Sequence, residues 1–159
     1  MLAGELRRAL EIGPGRVSNK KLGDLLGVTE RSLIREPAST APFGVAIREE
    51  ASDRAHLFFR RRYRTGRRFE AARFVADHLV TSLDERWLPS TDAKTARQKL
   101  QRAFAAEFLC PINALLGFLH DDFSNEAIDD AGEEFGISPL AIRSHLVNNN
   151  ILPHEALAG

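Results

Sequence analysis

RRFEAARFVADHLV, residues 67 to 80, places apolar side chains at Phe69, Ala72, Val75, Ala76, Leu79 and Val80. That is the i, i+3, i+4, i+7 stripe of a half-buried helix. Seven arginines crowd its start and approach: Arg60, Arg61, Arg62, Arg64, Arg67, Arg68 and Arg73. Gly66 is expected to turn the chain into the helix. With Tyr63 interleaved, the cluster either meets phosphates or covers the helix entrance and pairs with acidic residues elsewhere in the chain.

Immediately upstream the texture changes to short apolar segments, Phe43–Ile47 and His56–Phe59, separated by the charged stretch Arg48 to Arg54. These predict strands of a small antiparallel sheet within residues 43–62. Residues 1–36 read as helices. Leu2, Leu6 and Leu10 share a face of the first, which Gly13-Pro14-Gly15 should terminate. Ser18 or Asn19 caps a second helix over Lys20–Leu26, Gly27-Val28-Thr29 turns into a third over Glu30–Arg35, and Pro37 stops it. Two helices around Gly27 resemble a helix-turn-helix, with Lys20, Lys21, Arg31 and Arg35 as candidate nucleic-acid contacts.

Downstream, Leu83–Pro89 reads as a loop anchored by Trp87 and Leu88. Ser90, Thr91 or Asp92 should cap a helix over Ala93–Leu109, and a short apolar helix follows Pro111 over Ile112–Phe118. The run His120-Asp121-Asp122 is suited to capping and solvation. The chain closes with a helical pair over Ser124–Leu152, turning at Gly136, its second helix capped by Ser138 with Pro139 in the first position. Asp129, Asp130, Glu133 and Glu134 give this pair a carboxylate face that a phosphate backbone would repel.

Composition bounds the class. At 159 residues, 43% hydrophobic and 28% charged, the chain suits one ordinary globular domain. No apolar run reaches the ~18 residues of a membrane span, and the opening MLAGELRRALEIG lacks a signal-peptide core, so a cytoplasmic protein is expected. The single cysteine, Cys110, sits in an apolar run and reads as a buried, inert thiol. Net charge is zero but lopsided. Residues 1 to 73 hold sixteen Lys/Arg against nine Asp/Glu, whereas from Pro111 onward there are eight acids and one base, Arg143. Internal pairing, self-association and a charged partner all remain open.

Three segments in order, RRFEAARFVADHL, ARQKLQRAFAAEFLCP and EAIDDAGEEFGISPLAIRSHLVNNNIL, resemble the ImmA/IrrE-type metallopeptidase domain. In that family an Arg-Phe pair leads into a helix bearing HExxH, a later helix carries a Glu ahead of a Phe-Ala-Ala segment, and a helical pair ends the domain. The resemblance implies an α+β, zincin-like fold, mostly helical with a small antiparallel sheet. It also divides one domain (1–159) into N-terminal helices (1–36), sheet (43–62), two helices of the former active site (66–110) and a C-terminal helical subdomain (111–159).

HExxH works because residues four apart share a helix face, so two imidazoles grip one zinc while the Glu activates its water. Aligned on Arg68-Phe69, those positions fall on Arg73, Phe74 and Asp77, and the third ligand falls on Leu100. A guanidinium cannot ligate a cation, and Phe74 cannot move a proton. No HxxxH pair occurs anywhere in the chain. The expected replacements are an Arg73–Asp77 ion pair across one helical turn and apolar filling of the cleft by Phe74 and Leu100.

The resemblance therefore implies a catalytically inactive regulatory module with no metal, binding another protein such as a regulator or repressor through Arg68, Arg73, Asp77 and His78. One alternative is an active peptidase with a rearranged zinc site, for instance His56, His78 and Glu107. Another is a helix-turn-helix DNA-binding regulator.

Overall fold

The computed structural model describes residues 2–36, 41–50, 52 and 54–157. In chain order the elements are α1 (Leu2–Ala9), α2 (Asn19–Leu25), α3 (Glu30–Ile34), β1 (Gly44–Arg48), β2 (Ala55–Phe58) and α4 (Arg64–Val80). They continue with β3 (Trp87–Ser90), α5 (Ala96–Leu109), α6 (Ile112–Leu119), α7 (Asn125–Phe135), α8 (Pro139–Asn148) and a 3-10 turn at His154–Leu157. The fold is α+β. The chain divides into two compact units, Ser18–Ala105 and Met1–Val17 with Ala106–Gly159, with one boundary ahead of α2 and the other within α5.

In the unit 18–105, three strands form an antiparallel sheet in the order β2-β1-β3. Val45 pairs with Phe58 on one side and Pro89 on the other, and Ile47 pairs with His56 and Trp87. Because side chains alternate along a strand, Gly44, Ala46 and Arg48 face α4, which packs on β1 and β3 and also on α2 and α3. Trp87, His56 and Phe58 are exposed on the other face of the sheet. The third strand occupies the segment expected to be a loop. Pro89 is tolerated there because β3 is an edge, where a missing N–H costs no ladder bond. Leu88 anchors it in the core as expected; Trp87 does not.

Helix α4 begins at Arg64, so Gly66 lies inside it rather than before it. A Cβ at Gly66 would come within 2.9 Å of Arg61 Cβ, so glycine lets the incoming chain cross close over the first turn. The helix is also buried more completely than its apolar stripe implies. Arg67, Arg68 and every residue from Glu70 to Asp77 are buried, while Leu79 and Val80 are exposed. Phe74 stacks at a tilt on Phe59, ring centroids 6.1 Å apart. Its full burial contributes roughly 1.5–3 kcal/mol.

The other unit is helical. Helix α1 buries Ala3 and Arg7 rather than a leucine face, Leu2 being exposed. It ends before Gly13-Pro14-Gly15, at Glu11 (φ 52), with Ile12 N–H bonded to Arg7 C=O at 2.8 Å and Glu11 N–H to Arg8 C=O at 3.1 Å. This is a Schellman end. The same left-handed stop closes α2 at Gly27, α7 at Gly136 and α8 at Asn150. Ser124 and Ser138 cap α7 and α8 through bonds to Ala127 N–H and Ala141 N–H, and Ser18 caps α2 through Lys21 N–H.

Helix α5 starts three residues later than expected. Its cap is Thr95, which accepts Gln98 N–H at its hydroxyl and Lys99 N–H at its carbonyl. Pro37, expected to stop α3, lies outside the described residues.

Candidate functional site

The positions singled out on the central helix are interior positions. Arg73 and Asp77 do face the same way, one turn apart, but they do not pair with each other. Asp77, 0% exposed, is gripped by Arg97 of α5, whose Nε lies 2.8 and 3.0 Å from the two carboxylate oxygens and whose Nη2 lies 2.6 Å from one of them. The second arm of Arg97 reaches Glu85 at 2.5 Å. Arg73 donates to the Thr91 carbonyl (2.6 Å), Gln98 Oε1 (2.5 Å) and Gln101 Oε1 (3.3 Å).

Those glutamines in turn fix the edge strand. Gln98 and Gln101 each donate to the Pro89 carbonyl at 3.0 Å, and Gln98 accepts Thr91 N–H at 2.8 Å. The polar layer on this face of α4 thus has two parts: Arg73 with Gln98 and Gln101 ties α4, α5 and β3 together, and Asp77 with Arg97 ties α4 to α5. Burial pulls the Arg73 guanidinium down to about 10, nearby Arg102 adding to the shift, so Arg73 is a cation at neutral pH. Arg97 is pushed upward by its bond to Asp77.

Leu100 takes no part in this layer. It is 44% exposed, which corrects the expectation that it fills a cleft beside Phe74. Helix α5 turns Arg97, Gln98 and Gln101 toward α4 instead, because buried Arg73 and Asp77 require hydrogen-bonding partners and a leucine supplies none.

Glu70, not anticipated from the sequence, sits at the other end of the helix. Its carboxylate accepts the N–H groups of Arg60 (3.0 Å) and Arg61 (3.3 Å), and a Cβ on Gly44 would collide with it. Burial raises its carboxyl above the ordinary range, the two N–H bonds opposing.

The remaining arginines show why the cluster is not simply a charged surface. Arg67 donates to the carbonyls of Leu33 (3.1 Å), Ile34 (2.8 Å) and Arg62, closing the end of α3. Arg68 is buried and bonds Asn19 at the start of α2. Arg48 closes the end of α4 through the carbonyls of His78 (2.9 Å), Ser82 (2.6 Å) and Glu85 (2.9 Å), while its Nε donates to His78 Nδ1 at 3.2 Å. In the other unit Arg7 does the same for the carbonyls of Phe108 (2.5 Å), Gly15 (2.7 Å) and Gly13. Arg7, Arg48 and Arg67 spend most of their donors on main-chain oxygens, groups that need a partner when water is excluded.

Three further members of the cluster meet carboxylates. Arg60 and Arg61 meet Asp92, and Arg62 meets Glu36. The contact surface expected at Arg68, Arg73, Asp77 and His78 is therefore corrected: the first three are buried, and half-buried His78 is held by Arg48.

The three residues named for a rearranged zinc site each have other partners. His56 pairs with Glu49 at 2.8 Å, His78 accepts from Arg48, and Glu107 accepts Ile112 N–H at 3.2 Å with His145 Nε2 3.3 Å away. Among the described residues no group of three or more His, Cys, Asp and Glu side chains is placed to hold a metal ion. Cys110 is fully buried, and burial raises its thiol well above its ordinary value. His120 and Asp121 have left-handed backbones at the end of α6, and Asp122 accepts Ser124 N–H at 2.9 Å, consistent with capping.

Among the helix-turn-helix candidates, Lys20 is tied to Asp24 at 2.7 Å, and Arg31 and Arg35 are exposed on and just after α3. Helix α3 is five residues long. Among the described residues no single helix is long and apolar enough to cross a membrane. Comparison of the chain with protein-family profiles, curated proteins and solved structures finds no match.

Proposed function

We propose that this chain is a catalytically inactive relative of the ImmA/IrrE-type metallopeptidases, a zincin-like domain that acts as a regulatory protein-binding module. The observation that carries this reading is the polar layer at Arg73 and Asp77. The two positions where the family helix holds its metal carry a guanidinium and a carboxylate, both buried, the carboxylate held by Arg97 and the guanidinium by Gln98, Gln101 and the Thr91 carbonyl. A fixed cation hydrogen-bonded to neutral groups at one position and an arginine-clamped carboxylate at the other stand in place of metal ligation.

The partner is a protein, a regulator or repressor by analogy with the family's substrates. It docks on the outer face of the sheet, where Phe58 and Trp87 flank β1 and are exposed; aromatic anchors of this kind dominate protein interfaces.

Two measurements test the reading. Protein purified without chelator should contain far less than one zinc per chain, and one equivalent of zinc lost on Asp77→Asn would defeat the pseudo-enzyme half. Affinity capture of the intact chain from its native host should recover a protein that Phe58→Ala/Trp87→Ala fails to hold; equal capture by both would defeat the docking half.

A further inference from the structure

The two units carry opposite charge. Residues 18–105 contain 18 Lys/Arg against 11 Asp/Glu, a formal +7, and the remainder contains 4 against 11, a formal −7. In each unit one exposed feature concentrates that charge beside an aromatic ring.

In the acidic unit, Phe118, Asp130, Glu133, Glu134 and Arg16 line a shallow groove of about 530 Å³. Phe118 is 40% exposed and stands edge-on to Phe135, ring centroids 6.1 Å apart. Arg16, on the same groove, makes no ion pair with these carboxylates among the described residues. Its guanidinium lies against Gly136 and donates to the Glu133 main-chain carbonyl at 3.1 Å. The ion pairs among the described residues leave Asp130, Glu133 and Glu134 without a cation.

In the basic unit, Tyr63 at the entrance of α4 is 82% exposed and makes no side-chain capping bond. Beside it Arg64 is exposed, and no ion pair among the described residues engages it. Arg61 is held to Asp92 only at 3.6 Å.

We infer that this groove receives the Arg61–Arg64 segment of a second copy of the chain, Tyr63 seating on Phe118 and Arg64 meeting the carboxylate rim. The match holds on two independent counts, ring against ring and guanidinium against carboxylate, and Tyr and Arg are the residues that most often anchor interfaces. The contact is head to tail. A pair joined by one such contact keeps one groove and one segment free, on different copies, so association continues to longer species or closes into a ring.

Sedimentation velocity on the intact chain tests this. At low salt the mass should rise with concentration past that of two chains, and salt that shortens the screening length to about 3 Å should return it to one chain. Tyr63→Ala/Arg64→Glu keeps the groove, and Glu133→Lys/Glu134→Lys keeps the segment. Each, shown folded by circular dichroism, should remain a monomer alone, and their equimolar mixture should recover a complex. A wild-type chain that stays monomeric at every concentration, as it would if the two features met only within one molecule or took another partner, overturns the inference. So does association of either variant alone at the wild-type level, or failure of the mixture to associate.

Discussion

Removing Arg97 should destabilise this protein more than removing the charge it neutralises, and the asymmetry can be worked from the geometry. Asp77 is 0% exposed and its carboxylate is held by Arg97 through three contacts of 2.6 to 3.0 Å. Arg97→Leu strands that carboxylate in the interior. Losing one partner of a buried pair costs ~3–5 kcal/mol, and the lower end applies because the arginine side chain is 32% exposed and water can reach the vacated space. Asp77→Asn is milder, about 1–3 kcal/mol, because the amide oxygen still accepts and Arg97 keeps both Glu85 and solvent.

For a chain of this size ~3 kcal/mol lowers the melting temperature by roughly 6–12 °C. Arg97→Lys should fall between, since an ammonium keeps the charge but not the fork that matches a carboxylate. Asp77→Leu combined with Arg97→Leu should recover much of the loss, because the uncompensated charge is gone. Thermal and urea unfolding followed by circular dichroism, with and without chelator, measures all four. The reasoning fails if Arg97→Leu costs under ~1 kcal/mol or if Asp77→Asn costs more than Arg97→Leu. A chelator-dependent drop in melting temperature would show that a metal, not this pair, holds the layer.

Glu70 should make stability fall with rising pH. Its folded-state carboxyl is raised above the ordinary 4.5, so the folded chain retains a proton that the unfolded chain has lost. The contribution is present below 4.5 and is lost as pH climbs through the folded value. Glu70→Gln should flatten the profile above about pH 4.5 in denaturant midpoints; an unchanged slope counts against a raised carboxyl. Gly44→Ala drives a methyl into the Glu70 carboxylate and should cost ~1–3 kcal/mol as an overpacked site; urea unfolding indistinguishable from wild type would mean the contact can relax freely.

What the sequence determined by itself is everything settled within a few residues. Ser18, Ser124 and Ser138 satisfy N–H groups three positions on, and Gly27 and Gly136 permit the left-handed turn that ends a helix, so these boundaries are encoded locally. The strand pattern of β1 and β2, and the shared face of Arg73 and Asp77, are local in the same sense. What only the tertiary structure decided is where the charges go. Arg67 and Arg73 belong to a cluster that in sequence suits phosphates as well as a helix entrance, and they, with Arg7 and Arg48, are interior staples whose carbonyl or amide partners lie up to 101 residues away. The turn of α5 that buries Gln101 and exposes Leu100 follows from those partners, not from its own apolar spacing. β3 carries a proline among its four residues, which in sequence argues against a strand. A guanidinium carries five donors on a long stem, and nothing in the adjacent chain specifies which distant oxygens will satisfy them once water is excluded.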